Sequence, residues 1–305
     1  MITPEKDVEN IHNSLISKKS DVIINIISKR TYQQINILIY IFKKTYNKDL
    51  IKEINNFLSY DVNLISIFSL LSINPINYDC QTLFIALNQS NKDINTLIEI
   101  IITRPSNILK KVIVEYSSLY KNKNIIKEIE NINISRIIKN ILIIFLTKEK
   151  NENKTPDLDL CQSLAIKLEN EKVKNWLNIN SVLYNIIINN SQTEIYFISM
   201  FYKKLSGNSI IEKIDKEIIE DEKYYFIQII LSLTSLEEYF TKKLYKAIND
   251  KNENIILRIL ITRRDIDLEI IKQCYFQLYN KTLINDIKNF FSGDSHKLIS
   301  NIIGM

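Results

Sequence analysis

Residues 260–283 read LITRRDIDLEIIKQCYFQLYNKTL, and the spacing of the apolar residues in this stretch predicts a helix. Four apolar residues recur at intervals of three or four positions: Leu268, Ile271, Tyr275 and Leu278. Three polar residues fall on the opposite face: Glu269, Lys272 and Gln273. One apolar and one polar face at this period are typical of a helix that packs against a core on one side.

Two patterns in this stretch recur along the chain. An apolar run closes on a basic residue at Arg30, Arg104 and Arg263, and a segment resembling Tyr-Asn-Lys begins sixteen residues after each arginine. A further copy has residues 205–208, LSGN, in place of the tyrosine segment, which puts Asn190 where the other copies have arginine. The intervals between successive markers are 74, 86 and 73 residues. The sequence therefore predicts four helical repeats.

Glycine and proline are scarce, which excludes several fold classes. The chain has 305 residues with 3 glycines and 4 prolines. Sandwiches, barrels and propellers need a turn every ~8–12 residues, and those turns draw on both residue types. Dinucleotide-binding and P-loop folds need closely spaced glycines, whereas Gly207, Gly293 and Gly304 are far apart. We therefore expect neither a many-stranded fold nor a nucleotide cradle.

The charge pattern is not typical of a nucleic-acid-binding protein. The net charge of +5 permits attraction to anionic surfaces, but the recurrent lysine pairs are typical of solvated helix faces. We therefore expect no nucleic-acid partner.

The cysteine content predicts a cytoplasmic protein. The three cysteines are far apart, which fits reduced thiols. The N-terminus lacks an apolar run, and the most apolar stretch, residues 137–146, contains Lys139 and Asn140. We expect neither a secretory signal nor a bilayer-spanning segment.

The fourth copy carries the most complete set of these patterns. It reads YFTKKLYKA at 239–247, TRRDIDL at 262–268, LYNKTL at 278–283 and SGD at 292–294. These segments in this order resemble a repeat of the annexin family, and the resemblance extends from about residue 6 to the C-terminus. It implies an all-α fold of four annexin-like repeats, each of about five helices, that form a curved disc. We expect a monomer.

The spacing of the markers also predicts where each repeat begins and ends. We expect the repeats at residues 6–73, 77–147, 157–233 and 236–305. Residues 148–156 are charged and polar and end in Pro156, which predicts a linker between the second and third repeats.

The resemblance implies calcium binding by two kinds of loop. In an annexin repeat, the loop between the first two helices supplies backbone carbonyl groups from a Lys-Gly-x-Gly-Thr segment, and an acidic residue before the fifth helix supplies a carboxylate. Calcium takes about six to eight oxygen ligands. Loop carbonyls converge on one ion only where the backbone bends sharply, which is the reason for the glycines.

No repeat of this chain retains the whole calcium pattern. Gln89 and Asn91 stand at both glycine positions of the second repeat, and Glu217 of the third repeat is the one residue that matches the acidic position. Other residues replace the acid elsewhere: Phe57, Asn131 and Phe290. We expect no high-affinity calcium site and no other cofactor, with Glu217 as the candidate ligand of a degenerate metal site.

Aromatic and basic residues at the same loops predict a membrane contact that does not need calcium. Trp176 matches a family position on the convex loop of the third repeat, and interfacial tryptophan is favourable at a bilayer surface. The predicted contact residues are Trp176, Phe57, Phe290, Phe291, Lys18, Lys19, Lys92 and Lys251. The partner is then the anionic phospholipid surface of a membrane, bound peripherally with either weak or no dependence on calcium. The alternative is that the aromatic side chains fold back and fill space beneath the loops.

A structural role is the second functional hypothesis. The fold would serve as a scaffold for protein partners, such as cytoskeletal or coat components, without lipid binding.

Four acidic residues either cover a solvated helix end or recruit a metal weakly: Glu217, Glu220, Asp221 and Glu222. His12 and His296 are isolated, and no cysteine stands in a nucleophile motif, so we expect no enzymatic activity.

Overall fold

The computed structural model describes residues 3–149 and 155–304. Within these residues the chain forms twenty α-helices, one 3₁₀ turn at Val173–Asn175 and no strand. The prediction of an all-α fold is confirmed. Residues 150–154 of the predicted linker lie outside the described residues, and the predicted boundaries of the repeats stay predictions.

The helices fall into four successive groups of five. The first group is α1 (Pro4–Ser17), α2 (Ser20–Ser28), α3 (Tyr32–Tyr46), α4 (Leu50–Phe57) and α5 (Val62–Ser72). The second is α6 (Pro75–Asn88), α7 (Ile94–Thr103), α8 (Ser106–Leu119), α9 (Ile125–Asn131) and α10 (Arg136–Thr147). The third is α11 (Leu158–Asn170), α12 (Val182–Asn189), α13 (Gln192–Ser206), α14 (Ile210–Glu217) and α15 (Lys223–Thr234). The fourth is α16 (Leu236–Asn249), α17 (Glu253–Arg263), α18 (Leu268–Tyr279), α19 (Leu283–Ile287) and α20 (Gly293–Ile303).

The chain divides into two compact units. Unit 1 comprises Met1–Pro75 and Phe240–Met305, and therefore holds the first and fourth groups of helices apart from the start of α16. Unit 2 comprises Ile76–Tyr239 and holds the second and third groups. In unit 1, α2 and α5 both pack against α20. In unit 2, α11 packs along α13 and α7 along α15. None of the described helices is long and apolar enough to cross a membrane.

A residue in the left-handed conformation follows the third helix of each group. Asn47, Gly207 and Asn280 directly follow α3, α13 and α18, with φ values of 53°, 74° and 51°. Lys121 stands two residues beyond the end of α8, with φ 53°. Glycine and asparagine adopt this conformation at low cost, and it ends a helix and turns the chain. The recurrent tyrosine segment of the sequence therefore marks the end of the third helix.

Buried ion pairs connect the end of the second helix to the first helix in two groups. Two guanidinium nitrogens of Arg104 donate to Asp79 of α6, each at 2.9 Å, and the two side chains are only 10% and 7% exposed. Arg30 is paired in the same way with Asp7 of α1, at 2.7 Å. The recurrent arginine therefore fixes the position of the first helix.

The other two groups use different contacts at the same place. Arg263 donates to Asp267 at 2.7 Å, and its guanidinium carbon lies 4.6 Å from the centre of the Phe240 ring of α16. Asn190 carries no charge and donates to the carbonyl of Ile186 in its own helix, at 2.9 Å. The third group therefore lacks the ion pair that the arginine forms elsewhere.

We expect Arg104→Ala to lower the free energy of unfolding by ~3 kcal/mol or more, because the variant leaves the buried carboxylate of Asp79 without its partner. Chemical denaturation followed by circular dichroism measures this loss. Lys48→Ala is the control, since its ion pair with Glu53 is exposed and contributes less than ~1 kcal/mol. Equal losses in the two variants would contradict the role given to the buried pair.

Candidate functional site

Loops of unit 1 lie together where α2, α5 and α20 begin. The hydroxyl of Tyr60, in the loop between α4 and α5, donates to Asp294 of α20 at 2.6 Å. Lys297 of α20 contacts Asp21 of α2 at 2.7 Å. These two contacts bring three loops to one end of the unit. We call residues 16–21, 57–63 and 288–297 the loop face.

The loop face exposes apolar and basic side chains side by side. Ile16, Tyr60 and Val62 are 69%, 63% and 74% exposed. Lys18 and Lys19 form the turn between α1 and α2 and are also exposed. Neither lysine has a carboxylate partner among the residues that the structure describes. An apolar tip flanked by free ammonium groups is a surface suited to an anionic interface.

Sequence reasoning missed the three apolar residues of this face. For Ile16 a signal exists, because α1 buries Val8, Ile11 and Ser14 at three-residue intervals and Ile16 falls off that face. Tyr60 and Val62 gave no such signal. They flank Asp61, whose carboxylate accepts hydrogen bonds from the backbone N–H groups at the starts of α5 and α20.

The aromatic residues predicted for membrane contact need a correction. Trp176 is completely buried in unit 2, and its ring packs edge-on against Tyr202 with centroids 5.7 Å apart. Phe291 is also buried, whereas Phe57 and Phe290 are half-buried. The cause is local packing, because the chain folds through the 3₁₀ turn immediately before Trp176 and the indole enters the core beneath it. Trp176 and Phe291 are not surface residues in this structure.

Lysine ammonium groups bind main-chain carbonyl oxygens at or near helix ends in unit 2. Three of them donate to main-chain oxygens at 2.8–3.0 Å: Lys92 to Gln89, Lys139 to Glu130 and Lys223 to Asp215. The first pair lies in the loop between α6 and α7, and the others join the ends of α9 and α14 to the following helices. A carbonyl oxygen that already accepts from an ammonium group coordinates a metal ion only if that group is displaced.

These residues do not fit a calcium ion. Glu217 is exposed at the end of α14 and forms an ion pair with Lys213 at 3.3 Å. Within residues 3–149 and 155–304, no three His, Cys, Asp or Glu side chains are arranged to hold a metal ion. Calcium needs about six to eight oxygen ligands. One paired carboxylate beside lysine-bound carbonyl groups does not supply them.

The loop before α15 combines a protruding apolar residue with acidic neighbours. Ile219 is 94% exposed, and Glu217, Glu220 and Asp221 around it are exposed as well. Negative charge repels anionic surfaces, so this loop differs in electrostatic character from the loop face of unit 1.

Comparison with known proteins finds sequence similarity to annexins. A family model described as Annexin matches residues 239–302, which span most of the fourth group of helices. Annexin A13 from Mus musculus is 25% identical over 299 residues, covering 97% of this chain and 93% of that protein. Annexin A10 from Homo sapiens is 26% identical over 281 residues, covering 92% and 85%. Together with the family model, these relatives support membership of the annexin family.

Solved annexin structures have the same fold. Annexin III superposes with a TM-score of 0.85 at 21% identity, covering 100% of this chain and 94% of that one. Calcium-bound annexin (Sm)1 superposes with a TM-score of 0.84 at 20% identity, covering 99% and 90%. Annexins bind phospholipid membranes peripherally and are generally not enzymes. The loop face contains the kinds of loop that the annexin resemblance assigns to this contact.

Hydrogen bonds shift the pKa values of two groups on the loop face. Burial alone would raise the pKa of Asp294, but hydrogen bonds from Ser20 and Tyr60, together with the nearby charge of Lys297, hold that pKa below its ordinary value. Burial and the bond to Asp294 raise the pKa of Tyr60. The tie between the loops is therefore fully present above the ordinary pKa of aspartate, and it is lost as the pH falls through the lowered pKa of Asp294.

We expect Tyr60→Phe to raise the pKa of Asp294, because the carboxylate loses one of the hydrogen bonds that favour its charged form. An NMR titration of the side-chain carboxyl signals measures this pKa. Tyr40→Phe is the matched control in the same unit, since Tyr40 is 68% exposed. An unchanged pKa in Tyr60→Phe would show that the bond does not form in solution.

We expect the fluorescence of Trp176, the one tryptophan of the chain, to be that of a buried indole. Its emission maximum should lie at short wavelength, and acrylamide should quench it poorly until the protein is unfolded. Emission at the wavelength of a solvated indole in the native protein would overturn the burial described above.

Proposed function

We propose that this annexin binds the anionic phospholipid surface of membranes without requiring calcium. The loop face of unit 1 makes the main contact, and the protein acts as a monomer on the cytoplasmic side of the membrane, without enzymatic activity. Family membership supports the general kind of partner, because annexins bind phospholipid membranes.

The observation that carries this proposal is the position of Ile16 beside Lys18 and Lys19. Burying a fully exposed isoleucine contributes at most ~1.5–3 kcal/mol. Each lysine near an anionic membrane surface adds about 1 kcal/mol. Tyr60 and Val62 extend the apolar area, so the face combines a hydrophobic and an electrostatic contribution of similar size.

The loop face keeps a net positive charge, because its three segments contain four lysines and three aspartates. Each carboxylate already has a partner within the protein: Asp21 with Lys297, Asp61 with the N–H groups of Leu64 and Ser295, and Asp294 with Tyr60. Lys18 and Lys19 therefore remain available to phosphate groups of the membrane. Partial desolvation at the interface would strengthen this attraction.

The proposal that membrane binding does not require calcium is supported by hydrogen bonds within the loops between the first two helices. In every repeat, a group of the chain itself binds a carbonyl oxygen of the loop between the first two helices, or of the helix end beside it. The pairs are Lys19 N–H with Ser14, Lys92 Nζ with Gln89, Ser181 Oγ with Trp176 and Asn252 N–H with Ala247, at 2.8–3.0 Å. The loop conformation is therefore formed before any membrane is present.

The remaining predicted residues have secondary roles in this proposal. Lys92 and Lys251 are exposed and add positive charge at their own loops. Phe57 and Phe290 are half-buried, so only part of each ring is available to lipid. Trp176 and Phe291 are omitted because both are buried.

We expect the protein to co-sediment with vesicles containing phosphatidylserine equally well with calcium and with excess chelator. Lys18→Ala/Lys19→Ala should weaken binding roughly 30-fold, as expected for the loss of two basic residues at about 1 kcal/mol each. Ile16→Ser should weaken it roughly tenfold through the lost apolar contact.

The matched control is Lys43→Ala/Lys44→Ala, which removes the same charge from an exposed pair on α3. It should bind like the parent protein. Binding that chelator abolishes would refute calcium independence, and equal weakening in the two double variants would refute the assignment to the loop face.

A scaffold role is the second candidate, and exposed apolar side chains on the third helices favour it. They are Ile37 and Tyr40 on α3, Val114 on α8, Tyr196 and Met200 on α13, and Ile270 and Phe276 on α18. Such residues suit a protein partner, such as a cytoskeletal or coat component. Absence of vesicle binding under all conditions would favour this function.

A further inference from the structure

A cavity of unit 1 lies at the opposite end of α2 and α20 from the loop face. Its volume is about 290 Å³, far larger than the ~30 Å³ of one water molecule. Ser28 and Lys29 at the end of α2 and Ile302 near the end of α20 line it, together with Arg264 and Thr31. Nine residues of α2 separate the two ends by roughly 14 Å.

Arg264 is the unusual residue of this cavity, because part of its guanidinium group lacks a partner. Its side chain is only 6% exposed. Nη2 donates to the carbonyl of Arg30 at 2.6 Å, and Nε donates to Asp265 at 3.2 Å. Nη1 is buried and has no hydrogen-bond partner. A charged donor left unpaired in the interior is costly, and such a group indicates a missing water or ion.

The other polar groups of the cavity favour an anion. Lys29 is exposed and has no carboxylate partner within the described residues. The hydroxyl oxygen of Thr31 accepts from the backbone of Gln34, which leaves its hydrogen free to donate. Two carboxylates also line the cavity, and each is already paired with a cation: Asp265 with Arg264 at 3.2 Å and Glu269 with Lys272 at 2.5 Å.

We propose that this cavity binds a phosphate group, either as free phosphate or as a soluble phosphomonoester. A guanidinium N–H donates a charge-assisted hydrogen bond to a phosphate oxygen, and a nearby ammonium adds a point charge. Because Nε and Nη2 of Arg264 already have partners, this side chain supplies Nη1 alone. Lys29 supplies the ammonium, and Thr31 donates its hydroxyl hydrogen. Because the cavity lies away from the loop face, it is available to a soluble ligand while the loops contact a membrane. The proposal does not depend on the membrane function.

Isothermal titration of the full chain with inorganic phosphate, at constant ionic strength, tests this inference. Glycerol 3-phosphate serves as the second probe and distinguishes a phosphomonoester from the free ion. We expect saturable binding of at least one probe with a stoichiometry of one. Arg264→Gln and Lys29→Ala should each weaken it about tenfold or more, the effect of one charge-assisted hydrogen bond.

Lys29→Ala keeps the test decisive if Arg264→Gln fails to fold, because Lys29 is exposed and makes no ion pair in the described residues. Lys43→Ala, at an exposed position of α3 away from the cavity, is the matched control and should bind phosphate like the parent protein. Failure of both probes to bind saturably would overturn the proposal. Binding that is equal in Lys29→Ala and Lys43→Ala would overturn it as well, since it would place the anion elsewhere.

Discussion

The carbonyl groups at the end of a helix must find hydrogen-bond donors, and this requirement shapes every loop between a first and a second helix. In the first and fourth repeats, a left-handed residue, Lys18 or Lys251, turns the chain so that the next backbone N–H reaches back to the helix. In the second repeat the ammonium group of Lys92 binds the carbonyl of Gln89, just past α6, and in the third the hydroxyl of Ser181 binds the carbonyl of Trp176, at the end of the 3₁₀ turn. Because the donors belong to the chain itself, the loops keep their shape without an external cation.

Local constraints of this kind determine which parts of the fold could be predicted from the sequence. Asn47, Gly207 and Asn280 recur because each ends a helix in the left-handed conformation, and Arg30 and Arg104 recur because each pairs with an aspartate of the first helix. These are local constraints with a fixed spacing, so the helices and their grouping could be predicted. The chain also lacks the closely spaced glycines of the calcium-binding loops that the annexin resemblance implies.

The orientation of loop side chains could not be predicted in this way. Trp176 and Ile16 both stand near a helix end, yet one is fully buried and the other largely exposed. The difference arises from tertiary packing, because Trp176 packs against Tyr202 and Ile16 falls off the buried face of α1. Likewise, Arg264 is bonded to the carbonyl of Arg30, 234 residues away in the chain. No spacing rule identifies such a contact.

Positive charge near the end of α2 has a simpler explanation than a ligand, since the partial negative charge of a helix C-terminus attracts cations. This accounts for Lys29 at the C-cap of α2, and in part for Arg264, whose Nη2 binds the carbonyl of Arg30. It does not account for the burial of Arg264, because the helix field falls off within a turn and an exposed lysine would serve equally well. Nor does it account for Nη1, which makes no hydrogen bond beside a cavity lined by Lys29 and Thr31. A bound phosphate group explains both the burial of the arginine and its remaining donor.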